Sequence, residues 1–250
     1  MKAGKVTLIG AGPGDPELLT LKAVKALGAA EVILVDDLVN REILQHAAQA
    51  RVVEVGKRGG CKSTPQHFIN RMMVALAQQG QHVVRLKGGD AFLFGRGGEE
   101  MLELRAAGIE VEVVPGITSG TAVPATLGIP VTHRGLTHGV TFVTGHTQDG
   151  TPVNWQALVD GGTTLVIYMG MKHLSDIVRG LLDAGMSEQM PAAVIQQGTL
   201  PEQKQVVTNI ASLPMAAHQA GLGSPALIVV GDVVSLARRE ALADTLKYAA

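Results

Sequence analysis

The sequence predicts an α/β protein made of two α/β domains. Short β-branched runs alternate with helical patterns along the whole chain, which is the rhythm of strand–helix units. Glycine is over-represented, with 31 of 250 residues or about 12% against an average of roughly 7%, so many turns bring backbone close to something. Composition also shifts abruptly at "VVPGITSG", residues 113–120, where proline and glycine interrupt regular structure.

In the first half the strand-like runs are 6–9, 32–35, 52–55, 82–86 and 111–113. Amphipathic patterns at 16–28, 41–49, 65–79 and 98–107 predict the helices between them, and this alternation calls for a parallel sheet. After the Pro- and Gly-rich window, strand runs recur at 141–144, 165–168, 192–196, 205–208 and 227–230, with helices expected near 172–184 and 209–220. The expected domains are therefore 1–114 and 115–250. No repeat with a period of 20–50 residues is visible, which excludes a solenoid.

Charge and composition exclude several function classes. Twenty-one Lys and Arg face 22 Asp and Glu without long runs, so no basic stripe tracks a nucleic-acid backbone. A single cysteine, Cys61, excludes an intrachain disulfide framework and fits a reducing compartment, hence the cytoplasm. The N-terminus has too short an apolar core for a targeting signal. The longest uncharged window, 113–132, contains Pro115, Pro124 and Pro130 and reads as loop and short helix, not as a membrane span.

The stretch "GAGPGDPELL", residues 10–19, follows the first strand and nearly matches a dinucleotide-binding fingerprint, with Asp36 and Asp37 placed where a ribose-binding acid would stand. Pro13 removes a backbone donor from the turn, and Asp15 occupies the position of the third glycine. In "GDPELL" Asp15 suits an N-cap, Pro16 the first helical position and Glu17 the first turn, so the positive end of that helix faces the protein's own carboxylates. An anion is repelled there, and the loop suits a ligand that is not a phosphate, such as a cation.

A second glycine-rich stretch, "RLKGGDAFLFGRGGEE" at 85–100, runs from the fourth strand into a helix opened by two acids. Gly88 and Gly89 permit close backbone approach, and Asp90 offers a carboxylate at the carboxyl end of a strand, where open α/β sheets bind ligands. Together with "VGKRGG" at 55–60, "PGITSG" at 115–120, "VIYMG" at 166–170 and "SPALIVVG" at 224–231, this stretch resembles the tetrapyrrole methylase family, in the family's order and over nearly the whole chain.

The resemblance implies two α/β domains, a homodimer, and S-adenosylmethionine folded into the cleft between the domains without a pyrophosphate site. A sulfonium cofactor would resolve the puzzle of the first loop. Matched position by position, the family's cofactor contacts fall on Pro13, Gly88, Gly89, Asp90, Leu93, Thr118 and Ser119, with Met169, Gly198 and Ala226 from the second domain. Leu93 and Met169 could sandwich an adenine on aliphatic surface, consistent with only seven Trp, Tyr and Phe residues in total. The "GGDAF" segment departs from the commoner "GGDPF", and Asp36-Asp37 replaces part of the usual Tyr-Asp-Arg pattern.

The implied reaction is two methyl transfers to uroporphyrinogen III, at C2 and C7, giving precorrin-2 for sirohaem or cobalamin synthesis and releasing S-adenosylhomocysteine. Because a sulfonium is already strongly electrophilic, the protein has chiefly to align the reacting atoms and remove a proton. The family's proposed proton acceptor and donor fall on Asp36 and Lys57. Arg96 and Glu99, three apart at a helix entry, form a second candidate pair, for a substrate carboxylate and as base respectively. Lys57, Arg58, Arg96, Arg134 and Lys172 could converge on a substrate with eight carboxylates, and His133 and His146 could add hydrogen bonds. Without paired His or Cys spacing no metal site is expected. The competing expectations are a tetrapyrrole methylase acting on a later precorrin, an NAD(P) oxidoreductase, which Pro13 and Asp15 oppose, and a non-catalytic binding module.

Overall fold

A computed structural model describes residues 4–56, 64–147 and 151–238. The chain divides between Thr118 and Ser119 into two compact units.

Among the described residues the first unit holds five strands, β1 (Lys5–Gly10), β2 (Val32–Val35), β3 (Arg51–Glu54), β4 (His82–Lys87) and β5 (Glu110–Val114). They form one sheet in the order β3-β2-β4-β1-β5, parallel throughout. Burial on both faces explains why β2, Val-Ile-Leu-Val, reads as a continuous apolar run. On one face Ile9, Ile33, Val35, Val84 and Leu86 pack against Ala23 and Leu27 of helix α1 (Leu21–Gly28). On the other, Val6, Leu8, Val32, Leu34 and Val83 meet Ile69 and Met73 of α2 (Gln66–Gln78) and Leu104 of α3 (Gly97–Ala106).

Two helices expected from the sequence differ. The segment 16–28 is not one helix but a 3₁₀ turn, Pro16–Leu18, and then α1, because Thr20 starts afresh: its hydroxyl accepts from Ala23 N at 3.1 Å, and Leu19 and Thr20 are extended. The segment predicted at 41–49 is a 3₁₀ helix, Arg41–Ala47, capped by Asn40, whose side chain also donates to Gly14 O at 3.0 Å. A short segment pinned at its start is where the tighter winding is common.

Among the described residues the second unit has five strands, β6 (Val140–Thr144), β7 (Thr164–Tyr168), β8 (Pro191–Gln196), β9 (Lys204–Asn209) and β10 (Ala226–Val230), ordered β6-β7-β10-β8-β9. Only β6 and β7 run parallel; the other pairs are antiparallel. Helices α4 (Ser119–Thr126), α5 (Trp155–Asp160), α6 (Leu174–Asp183) and α7 (Leu213–Gln219) complete it. Ile177 and Leu181 of α6 and Leu213 and Ala217 of α7 cover one face, while Val123 of α4 and the 3₁₀ segment Asp232–Leu236 cover the other. The brief α5, with no long apolar period, carries no clear sequence signal. Among the described residues no helix is long and apolar enough to cross a membrane.

Candidate functional site

The "GAGPG", "KGGD" and "PGIT" segments leave the carboxyl ends of the parallel strands β1, β4 and β5. Of these, β1 and β4 are neighbours although far apart in sequence, so the "GAGPG" and "KGGD" loops lie side by side. They are also bonded to one another. Gly12 N donates to Gly89 O at 3.1 Å, Gly89 N donates to Gly12 O at 2.7 Å, and Ala11 N donates to Lys87 O at 2.7 Å. Asp15 accepts from Glu17 N at 2.9 Å and caps the 3₁₀ turn as the sequence predicts. Two backbone donors of the turn, those of Ala11 and Gly12, are therefore spent inside the protein, and Pro13 has none to offer.

A third loop closes on these two. A Cβ on Gly10 would lie 2.6 Å from both Gly116 N and Gly89 O, so the glycines permit three backbones to meet. Asp90 fastens the contact. Its Oδ1 accepts from Phe92 N at 2.8 Å and Leu93 N at 3.2 Å, and its Oδ2 accepts from Gly116 N at 3.0 Å. One carboxylate thus organises the central loop and ties it to the segment carrying Thr118. Pro13, Leu93 and Thr118 are half-buried there, and Gly89 has φ of 64°, a conformation that suits glycine.

Arg96 enters α3 in the left-handed region, with φ of 60°. Its guanidinium grips Glu99 through Nε, at 3.1 Å to each oxygen, and through a terminal nitrogen at 2.7 Å to Oε2. This bond holds the Glu99 carboxyl below the usual carboxylate range and raises the Arg96 guanidinium. Both side chains remain exposed.

Asp36, at the end of β2, meets a group that sequence reasoning missed. Arg85 donates to Asp36 Oδ2 at 3.1 Å and, through Nε, to Glu100 Oε1 at 3.0 Å; Lys87 lies 3.1 Å from Glu100 Oε1 and 3.9 Å from Asp36 Oδ2. Gln66 adds a third donor to Glu100 Oε1 at 2.8 Å. Burial, then the neighbouring Arg85, pushes the Lys87 ammonium down from its ordinary value, against the raising effect of Glu100 and Asp36. The available signal was the alternation of two cations, Arg85 and Lys87, on one face of an otherwise apolar strand. Lys57, Arg58 and Cys61 lie outside the described residues.

In the second unit Met169, Gly198 and Ala226 gather at one end of the sheet. Ala226, at the start of β10, pairs with Gln196 at the end of β8, and β10 also borders β7, which Met169 follows. Met169 is 56% exposed with φ of 55°, so it is no core methionine; Gln197 and Thr199 beside Gly198 also have positive φ. Clustered left-handed residues mark strained backbone held by its surroundings, a frequent property of ligand sites. Helix α4 reaches the same end. A Cβ on Gly198 would strike Val123, and Gly120 N donates to the Tyr168 hydroxyl at 2.6 Å, which places Ser119 near that edge. His146 stacks on His173, with centroids 5.6 Å apart, beside the exposed Lys172; Arg134 is exposed in a separate loop. Among the described residues no group of three or more His, Cys, Asp or Glu could hold a metal ion.

Residues 5–214 match the pattern of the family described as tetrapyrrole (corrin/porphyrin) methylases. The chain is 55% identical over 231 residues to a uroporphyrinogen-III C-methyltransferase of Pseudomonas aeruginosa, covering 92% of this chain and 94% of the relative. Its fold is similar to the crystal structure of a Thermus thermophilus uroporphyrin-III C-methyl transferase complexed with S-adenyl homocysteine, with a TM-score of 0.81 and 39% identity over 93% of this chain and 100% of the other. It is also similar to a cobalt precorrin-4 methyltransferase, with a TM-score of 0.83 and 29% identity over 92% of this chain and 95% of that one. With the family's pattern running through both units and a relative 55% identical over 92% of the chain, this chain belongs to the tetrapyrrole methylase family.

Proposed function

We propose that the chain is an S-adenosylmethionine-dependent C-methyltransferase that methylates uroporphyrinogen III twice, at C2 and C7, giving precorrin-2 and two molecules of S-adenosylhomocysteine. The observation that carries this reading is the mutual bonding of the Gly12 and Gly89 loops in a chain of this family: with Ala11 N and Gly12 N bonded internally and Pro13 without an N–H, the first loop is poor in donors for a dinucleotide phosphate, whereas a sulfonium needs none. The 55% identity to a relative named for this substrate, against 29% to one named for a cobalt precorrin, favours uroporphyrinogen III over a later intermediate.

In the transfer the methyl–sulfur bond breaks as a carbon–carbon bond forms. Sulfur keeps the electron pair and becomes a neutral thioether, and the positive charge passes to the tetrapyrrole, which is discharged by losing a proton. The protein's part is alignment and proton removal. We assign cofactor contacts to Pro13, Gly88, Gly89, Asp90, Leu93, Thr118, Ser119, Met169, Gly198 and Ala226. Proton transfer is assigned to Asp36 and Lys57, and a substrate carboxylate to Arg96 with Glu99 as its partner. The enzyme is read as a cytoplasmic homodimer.

The test is anaerobic incubation of the purified protein with uroporphyrinogen III and S-adenosylmethionine, followed by mass spectrometry. A gain of two methyl groups is expected. No gain, with S-adenosylhomocysteine still bound, would assign the chain to a later precorrin.

A further inference from the structure

Among the described residues of the first unit, three ionisable side chains are fully buried: Arg85, Lys87 and Glu100. They occupy the layer between the sheet and α2 and α3, on the pleat face of Val83, where the surrounding residues are aliphatic. Two cations there face one anion, so the buried set balances only when the Asp36 carboxylate is included. The Asp36 side chain is 36% exposed, whereas those of Arg85 and Glu100 are 2% and 0% exposed. It is thus the single member of a buried ion network that reaches the surface, and it does so at the carboxyl end of β2 among the candidate site loops.

Stability does not explain such a set. Buried ions lose hydration, and well-packed apolar residues of similar volume are often as stable or more so. Geometry explains it better. Glu100 on α3 is held by three donors on one oxygen, and Gln66 is itself fixed by Asn70 Oδ1 at 3.1 Å. The planar Arg85 guanidinium then spans from that anchor to Asp36, with Nε on Glu100 and a terminal nitrogen on Asp36, whereas the Lys87 ammonium on Glu100 stays 3.9 Å from Asp36 Oδ2. Every bond to the Asp36 carboxylate within the described residues lands on Oδ2; none lands on Oδ1.

We propose that Arg85, backed by Lys87 and Glu100, is the positioning residue for Asp36, fixing Oδ2 so that Oδ1 is presented to take the proton lost by the methylated tetrapyrrole. This rests on Asp36 as proton acceptor. Removal of the proton leaves its bonding electrons in the tetrapyrrole and converts Asp36 to the neutral acid, while Arg85 and Lys87 keep Glu100 as counter-ion.

A double-mutant cycle on the full chain tests it, combining Asp36→Asn with Arg85→Lys, which keeps the charge and loses the fork. The readouts are kcat and KM for uroporphyrinogen III, S-adenosylhomocysteine affinity by calorimetry, and thermal stability. Arg85→Lys is expected to lower kcat by roughly 10- to 100-fold, the scale of a misplaced catalytic group, with KM and cofactor affinity little changed. Made in the Asp36→Asn background, it should cost nothing further. An equal loss in both backgrounds would mean general damage and overturn the inference, as would wild-type kcat in Arg85→Lys alongside a crippled Asp36→Asn, which leaves the proton-acceptor reading intact. Near-normal kcat in Asp36→Asn would remove that reading and the inference with it. If Arg85→Lys does not fold, Arg85→Gln runs the same cycle with the same expected and refuting outcomes, since it leaves Lys87 to balance Glu100 and removes the guanidinium that bonds Asp36 Oδ2.

Discussion

Asp90→Asn isolates the fastening of the three glycine loops. Asparagine keeps one acceptor oxygen, enough for the bonds to Phe92 N and Leu93 N, but its amide nitrogen then meets Gly116 N, donor against donor. An N–H left unpaired at a part-buried site costs about 1–2 kcal/mol, and the loss of charge assistance to the other two bonds adds up to about 1 kcal/mol. The expected loss is therefore about 2 kcal/mol in the first unit. If the loops must close to bind cofactor, that energy limits the fall in S-adenosylhomocysteine affinity from loop opening to roughly 30-fold, at 1.4 kcal/mol per tenfold. Denaturant titration of the cofactor-free protein reads the fastening alone, and calorimetry reads binding. An unchanged denaturation midpoint would refute the reasoning, because it would mean that the Asp90–Gly116 bond does not hold the loops. A larger loss of affinity than of stability would instead measure direct contact between Asp90 and the cofactor.

Arg96→Ala should abolish tetrapyrrole methylation while S-adenosylhomocysteine still binds; near-normal turnover would remove Arg96 from the site. The same variant should raise the Glu99 titration, followed by NMR, towards the ordinary glutamate value, since Arg96 is the first cause of its depression. A depressed carboxyl stabilises the fold above its unfolded pKa and loses that contribution as pH falls through the folded value, so this acid-side dependence should shrink in the variant. In the second unit, Tyr168→Phe leaves Gly120 N–H without its 2.6 Å acceptor at the start of α4. A loss of about 1–2 kcal/mol is expected, seen as a fall of the melting temperature by roughly 3–8 °C, and an unaltered transition would show that the bond does not hold the helix.

Both α/β units were legible because apolar period and turn residues are local properties. The strand at 32–35 shows as an unbroken apolar run, and that at 6–9 as one broken only by Thr7, because both are covered on both faces, and Asp15 reads as a cap because capping needs only its next two residues. The break at Leu19-Thr20 and the 3₁₀ winding of Arg41–Ala47 were less visible, being decided by Thr20 capping and by Asn40 reaching Gly14. The antiparallel pairing of β8, β9 and β10 was likewise open, since a strand's apolar period carries no direction.

The first loop shows the same division. Its sequence alone determined that Pro13 lacks a donor and that Asp15 guards the helix start, because these are properties of single residues and their immediate neighbours. That the Gly12 and Ala11 donors go to Gly89 and Lys87, more than seventy residues on, was decided only when β1 and β4 came to lie side by side. Likewise Arg85 and Lys87 are plain in the sequence, but their shared counter-ion on α3 and their hold on Asp36 at the end of β2 exist only in the folded unit. Charge is carried by the residue, whereas pairing depends on distance, and packing the helices onto the sheet sets that distance.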